Sequence, residues 1–173
     1  MVVAKAVIPV AGLGTRFLPA TLSVPKVMIP ILNYPPLHYC IEEVIDSGIT
    51  NIILVISENQ REAIESYFDH HNPVISALTN KGNVDSLEKV EKIKRMVQIE
   101  YIVQERPLGL GHAILLTKES IGDNSFAVLL PDNYRVQPIA FTLQTHEHVL
   151  SRDTPYTYGA PHVRTHTHDD PAH

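Results

Sequence analysis

Two kinds of hydrophobic pattern alternate along the chain. Residues 2–10 and 51–56 are mostly aliphatic runs, which is typical of parallel strands buried on both faces. Between them, from Pro36 onward, apolar side chains recur every three or four positions until Gly48. Proline is favoured at the first position of a helix and glycine just beyond its last, so these two residues mark the helix ends. The first third of the chain therefore predicts strand, helix, strand.

The alternation continues to residue 130. Ser57 is expected to cap a second helix, and the polar stretch 73–96 keeps an apolar stripe that predicts one or two surface helices. Apolar and polar side chains alternate over 98–103, as in a half-buried strand, and a short helix over 112–119 precedes a buried strand over 126–130. Such units predict an α/β fold, a Rossmann-like and mostly parallel sheet with helices on both faces.

The remainder of the 173-residue chain is less regular. Residues 138–150 fit one more helix, so a single α/β domain is expected over residues 1–150. Residues 151–173 carry prolines, four of the ten histidines and almost no large aliphatic residues. They predict a poorly packed tail, and the spacing of His162, His166 and His168 defines no metal coordination shell.

Charge and cysteine content narrow the class of partner. The formal net charge is −5, and no basic block or basic, aromatic-rich stripe occurs, so the electrostatic footprint of a nucleic-acid binder is missing. The longest apolar runs are far too short to cross a bilayer. The single cysteine, Cys40, lies in an apolar helical pattern and suggests a packed thiol in a reducing compartment. These features favour a cytoplasmic protein that acts on small molecules, with no nucleic acid or membrane as partner.

The loop 11–26, directly after the first strand, holds the candidate chemistry. Gly12 and Gly14 remove Cβ atoms where main-chain amides could point at phosphate oxygens. Arg16 supplies a planar fork for a phosphate, and Lys26 adds a point charge, so the loop suits a triphosphate. The alternative is a strand-to-helix turn with two surface cations. A dinucleotide fingerprint would need glycine where Phe17 stands, and no lysine followed by Ser or Thr closes a P-loop.

The complete loop is more specific than its glycines. It resembles the signature of sugar-phosphate nucleotidyltransferases, and the later segments 103–104, 107–113 and 127–132 resemble the uracil-binding loop and the metal-binding strand of bacterial-type UTP–glucose-1-phosphate uridylyltransferases. The similarity covers roughly residues 3–133. The loop residues that carry it at fixed spacing are Gly12, Gly14, Thr15, Arg16, Pro19, Thr21, Pro25 and Lys26.

The resemblance implies a function and a role for each matching residue. The expected reaction is Mg²⁺-dependent transfer of a uridylyl group from UTP to glucose 1-phosphate, giving UDP-glucose and pyrophosphate. Arg16 and Lys26 would be the catalytic cations on the phosphates, and Asp132 would hold Mg²⁺. The nucleotide would be bound by the main chain of Ala11 and Gly12 at the base, by Gly14 and Thr15 at the phosphates, and by Gln104 with Gly109 at the uracil edge. His112 is expected to pack or cap rather than act as a base.

The chain also departs from the family. Leu22 stands where many members have lysine and Val27 where glutamate is usual. The family's second half supplies the sugar-binding residues, a lysine and a second metal-binding aspartate, and none of it is recognisable here, so the fold is expected to be truncated. A catalytically silent UTP-binding or regulatory paralogue, or a truncated product, stays open as the alternative function. An open sheet edge would invite pairing with another chain, which leaves a homo-oligomer open as well.

Overall fold

A parallel four-stranded sheet organises the described part of the chain. The structure is a computed structural model, which describes residues 3–69, 72–73 and 85–131. The strands are β1 (Lys5–Pro9), β2 (Asn51–Ile56), β3 (Gln98–Val103) and β4 (Phe126–Val128). Their order in the sheet is β3-β2-β1-β4, and every pairing is parallel. The α/β prediction is therefore confirmed.

The two inner strands are buried on both faces, as their aliphatic runs predict. Val7 in β1 lies between Ile53 of β2 and Val128 of β4 and has no exposed surface. All residues of β2 after Asn51 are buried. The alternating sequence of β3 gives a half-buried edge strand. Such burial is expected when helices cover both faces of a parallel sheet.

Five α-helices pack against this sheet within the described residues: α1 (Pro36–Asp46), α2 (Arg61–Phe68), α3 (Asp85–Met96), α4 (Leu110–Leu116) and α5 (Lys118–Ile121). Helix α1 begins at Pro36 and ends before Gly48, whose φ of 80° lies in the left-handed region and whose N–H donates to the carbonyl of Ile45 (2.8 Å). Both ends of this helix match the sequence prediction.

Alternate strand residues feed two separate cores. Ile8 and Leu54 point into the larger core, where they meet side chains of α1, α2 and α3. Val7 and Ile53 point to the opposite face and pack with Ala113 of α4 and other side chains of α4 and α5. Because each strand contributes to both cores, the helices on the two faces lock one register of the sheet.

Some predicted boundaries are wrong. The helix expected after Ser57 begins only at Arg61, after a 3₁₀ turn, and the Ser57 hydroxyl donates to Oδ1 of Asn59 (2.6 Å) instead of capping an amide. The helix expected from His112 begins at Leu110, because Gly109 adopts φ 90° and ψ 179° and turns the chain there. The last strand is shorter than residues 126–130.

Several predictions lie outside the described residues. They are the helix over 138–150, the tail 151–173, and with them the assignment of residues 1–150 to one domain. Within the described part of the chain, none of the helices combines the length and the apolar character that crossing a bilayer requires.

Candidate functional site

The candidate loop leaves the sheet at its topological switch point. From β1 the chain moves to β2 and β3 on one side, and it then returns to β4 on the other side of β1. The Val10 N–H donates to the carbonyl of Val55 (2.8 Å), and the Leu129 N–H donates to the carbonyl of Val7 (3.0 Å), which extends both pairings of β1. Ligands of open α/β sheets bind at the carboxyl ends of strands on either side of such a point.

Gly14 is required by the packing of the loop. Its φ of 63° is left-handed, and a Cβ on it would lie 2.9 Å from Cβ of Lys26 and 3.0 Å from Cγ2 of Thr21. The Thr21 hydroxyl donates to the carbonyl of Gly14 (3.0 Å). Gly14, Thr21 and Lys26 therefore form one packed unit, which explains their fixed spacing in the sequence.

Gly12 has a different environment. Its φ lies outside the left-handed region, and a Cβ built on it would meet no described atom within 4 Å. Neither strain nor packing against the described residues requires glycine here. The open space beside Gly12 is therefore where a ligand could approach the main chain.

Successive amides line the turn after Gly12. Within the part of the chain that the structure describes, the N–H groups of residues 12–16 donate no hydrogen bond, whereas those of Phe17 and Leu18 donate back to the carbonyls of Gly14 (2.9 Å) and Thr15 (3.3 Å). Consecutive unpaired amides of this kind form anion-binding concavities. We call residues 12–16 the amide turn.

Two cations lie at the amide turn, Arg16 within it and Lys26 beside it. Arg16 is exposed and forms no ion pair with the described residues. The Lys26 ammonium lies 5.3 Å from the centre of the Phe17 ring, a cation–π distance that holds its stem across the loop. Residues 11–26 contain no aspartate or glutamate, so this loop is positive in a chain whose net charge is −5.

Gln60 anchors the loop, and sequence reasoning missed it. It lies in the 3₁₀ turn after β2, is only 6% exposed, and donates through Nε2 to the carbonyl of Gly12 (3.1 Å). Its Oε1 is buried and accepts no hydrogen bond from the described residues. The two residues are 48 positions apart in the sequence, so no local pattern could reveal the contact.

A second polar cluster lies at the end of β3. The Gln104 N–H donates to the carbonyl of Ile56 (2.8 Å), which fixes this residue at the carboxyl edge of the sheet. Its buried side chain donates through Nε2 to the carbonyl of Gly109 (3.2 Å), and Nε2 lies 2.9 Å from Nδ1 of His112. The structure thus brings Gln104 and Gly109 together, and it adds His112, which was expected only to pack or cap.

The two clusters share one edge of the sheet. The amide turn follows β1 and Gln104 follows β3, so two strand spacings, about 10 Å, separate their strands. A ligand with a phosphate tail at one end and a hydrogen-bonding ring at the other could contact both.

The predicted magnesium ligand cannot be placed. Asp132 lies outside the described residues, and among those that are described no three His, Cys, Asp or Glu side chains gather as a metal site would need. Its role stays a prediction.

Comparisons with known proteins address the same part of the chain. The family model for nucleotidyl transferases matches residues 5–168. The UTP–glucose-1-phosphate uridylyltransferase of Bacillus subtilis is 49% identical over 131 residues, which are 76% of this chain and 44% of that protein. The enzyme of the same name from Staphylococcus epidermidis is 49% identical over 129 residues, 75% of this chain and 44% of its own.

A comparison with solved structures finds a similar protein. The UTP-bound UGPase from Acinetobacter baumannii superposes with a TM-score of 0.70 at 43% identity, over 76% of this chain and 46% of that one. The chain therefore spans less than half the length of the relatives it matches.

Sequence and fold point to one family. The match of the family model includes the amide turn, Lys26, Gln104 and Gly109. The described part also shares its α/β fold with solved UDP-glucose pyrophosphorylases. The resemblance seen in the sequence is thereby confirmed: the chain belongs to the nucleotidyl transferase family.

Proposed function

We propose that the chain binds UTP with its triphosphate on the amide turn and transfers the uridylyl group to glucose 1-phosphate, giving UDP-glucose and pyrophosphate. One observation carries the proposal. Five consecutive N–H groups that donate no hydrogen bond to the described residues lie beside two cations, on a loop that contains no acidic residue. The loop lies at the switch point of the sheet, and Gln104 shares the same edge. The relatives' names and the UTP-bound neighbour support the same ligand.

The proposed reaction requires no covalent bond between the protein and a substrate. A phosphate oxygen of glucose 1-phosphate attacks the α-phosphorus of UTP, a new P–O bond forms, and the bond to the β-phosphate oxygen breaks as pyrophosphate leaves. Both reactants are anions, so positioning and charge neutralisation dominate. We assign neutralisation to Arg16 and Lys26, and orientation of the phosphates to the amides of Gly14 and Thr15.

Ala11 and Gly12 would contact the base through the main chain. Ala11 is buried directly before the amide turn, and Gly12 is held from behind by Gln60. Gln104 and Gly109 would contact the uracil edge, since a side-chain amide oxygen can accept a hydrogen bond there and a main-chain N–H can donate one.

Mg²⁺ is the proposed metal. A hard cation on oxygen ligands would lower the repulsion between the two substrates, and Mg²⁺ is usually bound by one or two carboxylates together with substrate phosphates and water. The loop itself offers no carboxylate, so Asp132 is the protein ligand that we propose. Loss of UTP affinity on addition of EDTA would support the metal requirement, and unchanged affinity would contradict it.

A UTP-binding protein without turnover is the second candidate. One observation favours it: the loop carries Leu22 and Val27, two uncharged side chains, at positions where many family members have lysine and glutamate. In that case the amide turn would bind UTP, and no pyrophosphate would be released. Both candidates share the UTP site, and they differ only in what happens after glucose 1-phosphate is added.

One pair of assays separates these functions. Calorimetry with UTP and Mg²⁺ measures binding, and a pyrophosphate assay after addition of glucose 1-phosphate measures transfer. Arg16→Ala should weaken UTP binding at least tenfold, about 1.4 kcal/mol, because a phosphate loses a forked partner. Arg95→Ala, which removes the same charge from the exposed end of α3, is the matched control and should bind as the parent does. Equal affinities for the two variants would refute the site, and binding without pyrophosphate would favour the second candidate.

A further inference from the structure

The side-chain amide of Gln104 is oriented by two acceptors. Its Nε2 lies 3.2 Å from the carbonyl oxygen of Gly109, and a carbonyl can only accept, so the NH₂ group faces Gly109. The same nitrogen lies 2.9 Å from Nδ1 of His112. Because the hydrogen belongs to Gln104, Nδ1 must accept it, and the imidazole carries its proton on Nε2.

His112 is the stronger of the two anchors. The Gly109 carbonyl also accepts the Ala113 N–H of helix α4 (3.2 Å), so Gln104 shares that acceptor. The contact with His112 is shorter and, among the described residues, Nδ1 accepts from Gln104 alone. His112 lies in the first turn of α4 and is half-buried, so the helix fixes where Nδ1 points.

This arrangement leaves one polar atom of Gln104 for a ligand. Both hydrogens of the NH₂ group are engaged, while Oε1 accepts no hydrogen bond from the described residues. Unlike Oε1 of Gln60, this oxygen is not shut off from solvent. The cluster therefore presents an acceptor, and no donor, from the Gln104 side chain.

We propose that His112 is a positioning residue that holds Gln104 with its oxygen toward the base and so makes the site select uracil over cytosine. The inference rests on the proposed UTP site and concerns which pyrimidine it accepts. Uracil has an N–H at ring position 3, which donates to Oε1. Cytosine has an unprotonated nitrogen there, so two acceptors would face each other. A site that presents a fixed acceptor rejects the base that lacks the donor, because the bound base shields the acceptor from water and leaves it unpaired.

The test compares UTP with CTP. Dissociation constants of both nucleotides with Mg²⁺ are measured by calorimetry on the full chain. His112→Phe keeps a ring and removes the acceptor, so the preference for UTP should fall at least about fivefold, as expected for one lost hydrogen bond. His112→Asn places an amide oxygen close to the position of Nδ1 and should keep the preference within about twofold. Leu115→Gln, at an exposed position of the same helix, should change neither constant.

A double substitution shows whether His112 acts through Gln104. Gln104→Leu should itself abolish most of the preference, and adding His112→Phe should then change the ratio no further. If His112→Phe weakens UTP and CTP equally, or still lowers the ratio in the Gln104→Leu chain, the inference is wrong while the UTP site stands. If the parent chain binds neither nucleotide, the proposed function and this inference both fail.

A measurement on the unsubstituted chain tests the proposal even if the variants do not fold. Nitrogen-15 NMR of the imidazoles distinguishes a protonated ring nitrogen from an unprotonated one. The structure requires Nδ1 of His112 to be unprotonated and Nε2 to be protonated. The opposite tautomer at neutral pH would overturn the proposal.

Discussion

Adding a methyl group at each of two nearby glycines, Gly14 and Gly12, should affect the stability of the protein differently. At Gly14 the cost is conformational, since an L-residue at φ 63° lowers the free energy of unfolding by about 1–2 kcal/mol. The new Cβ would also lie 2.9 Å from Cβ of Lys26, which is too close to be relieved by turning the lysine stem. Gly14→Ala should therefore lower Tm by about 2–8 °C, on the scale of a chain of this length.

At Gly12 the folded protein has room for the methyl group. No described atom lies within 4 Å of the added Cβ, and φ is not left-handed. Gly12→Ala should leave Tm unchanged or raise stability by up to about 1 kcal/mol, because alanine has less freedom in the unfolded chain. UTP affinity should nevertheless fall at least tenfold, about 1.4 kcal/mol, since the methyl group would occupy the space of the bound nucleotide.

Scanning calorimetry and UTP titration on the two variants test this reasoning together. Gly14→Ala should lose stability and, through its distorted loop, affinity. Gly12→Ala should lose affinity alone. UTP binding by Gly12→Ala at the parent's affinity would show that the open space beside this residue is not part of the nucleotide site. A Gly14→Ala chain as stable as the parent would refute the conformational requirement.

Three further predictions concern groups outside the phosphate contacts. Gln60→Leu removes the donor to Gly12, so the backbone order parameters of residues 12–16 from ¹⁵N relaxation should fall, while global stability in urea changes by less than about 1 kcal/mol; unchanged order parameters would argue against the anchor. Burial raises the pKa of the Cys40 thiol, so iodoacetamide should label it at pH 8 only after unfolding, and rapid labelling of the native chain would contradict this. Burial also raises the pKa of Tyr101 to about 12. The folded state therefore holds this proton more tightly, so its stabilising contribution is complete below the ordinary tyrosine value of about 10 and is lost as the pH rises toward 12. Urea midpoints should fall over that range, and less so in Tyr101→Phe.

The sequence predicts the sheet well because its signals are local. Strand β2 and helix α1 match their predicted ranges. The residues that end each element are adjacent to it in the sequence: polar residues border the aliphatic run of β2, and Pro36 and Gly48 mark the ends of α1. The predicted start at His112 was two residues late. Leu110 and Gly111 look like loop residues until the backbone of Gly109 is known, because that glycine turns the chain and opens the helix.

The candidate site is predictable only in part. The glycines and cations of the loop lie close together in the chain, and Gln104 and Gly109 lie in segments that resemble the uracil-binding loop of the family. The resemblance alone therefore suggests all of these residues. Gln60 and His112 are different, because each matters through one hydrogen bond to a residue that the fold brings near. Such partners follow from sheet order and helix placement, and these are tertiary facts that no local spacing encodes.

The amide turn can be examined directly by ¹H–¹⁵N NMR during titration of the full chain with UTP and Mg²⁺. The resonances of residues 12–16 should shift most strongly, because their N–H groups, which donate no hydrogen bond to the described residues, would then meet the bound nucleotide, with those of Gly14 and Thr15 at its phosphates. In Arg16→Ala the same shifts should require at least tenfold more UTP. Saturable shifts confined to other residues, or none at millimolar UTP, would contradict a triphosphate cradle at this loop.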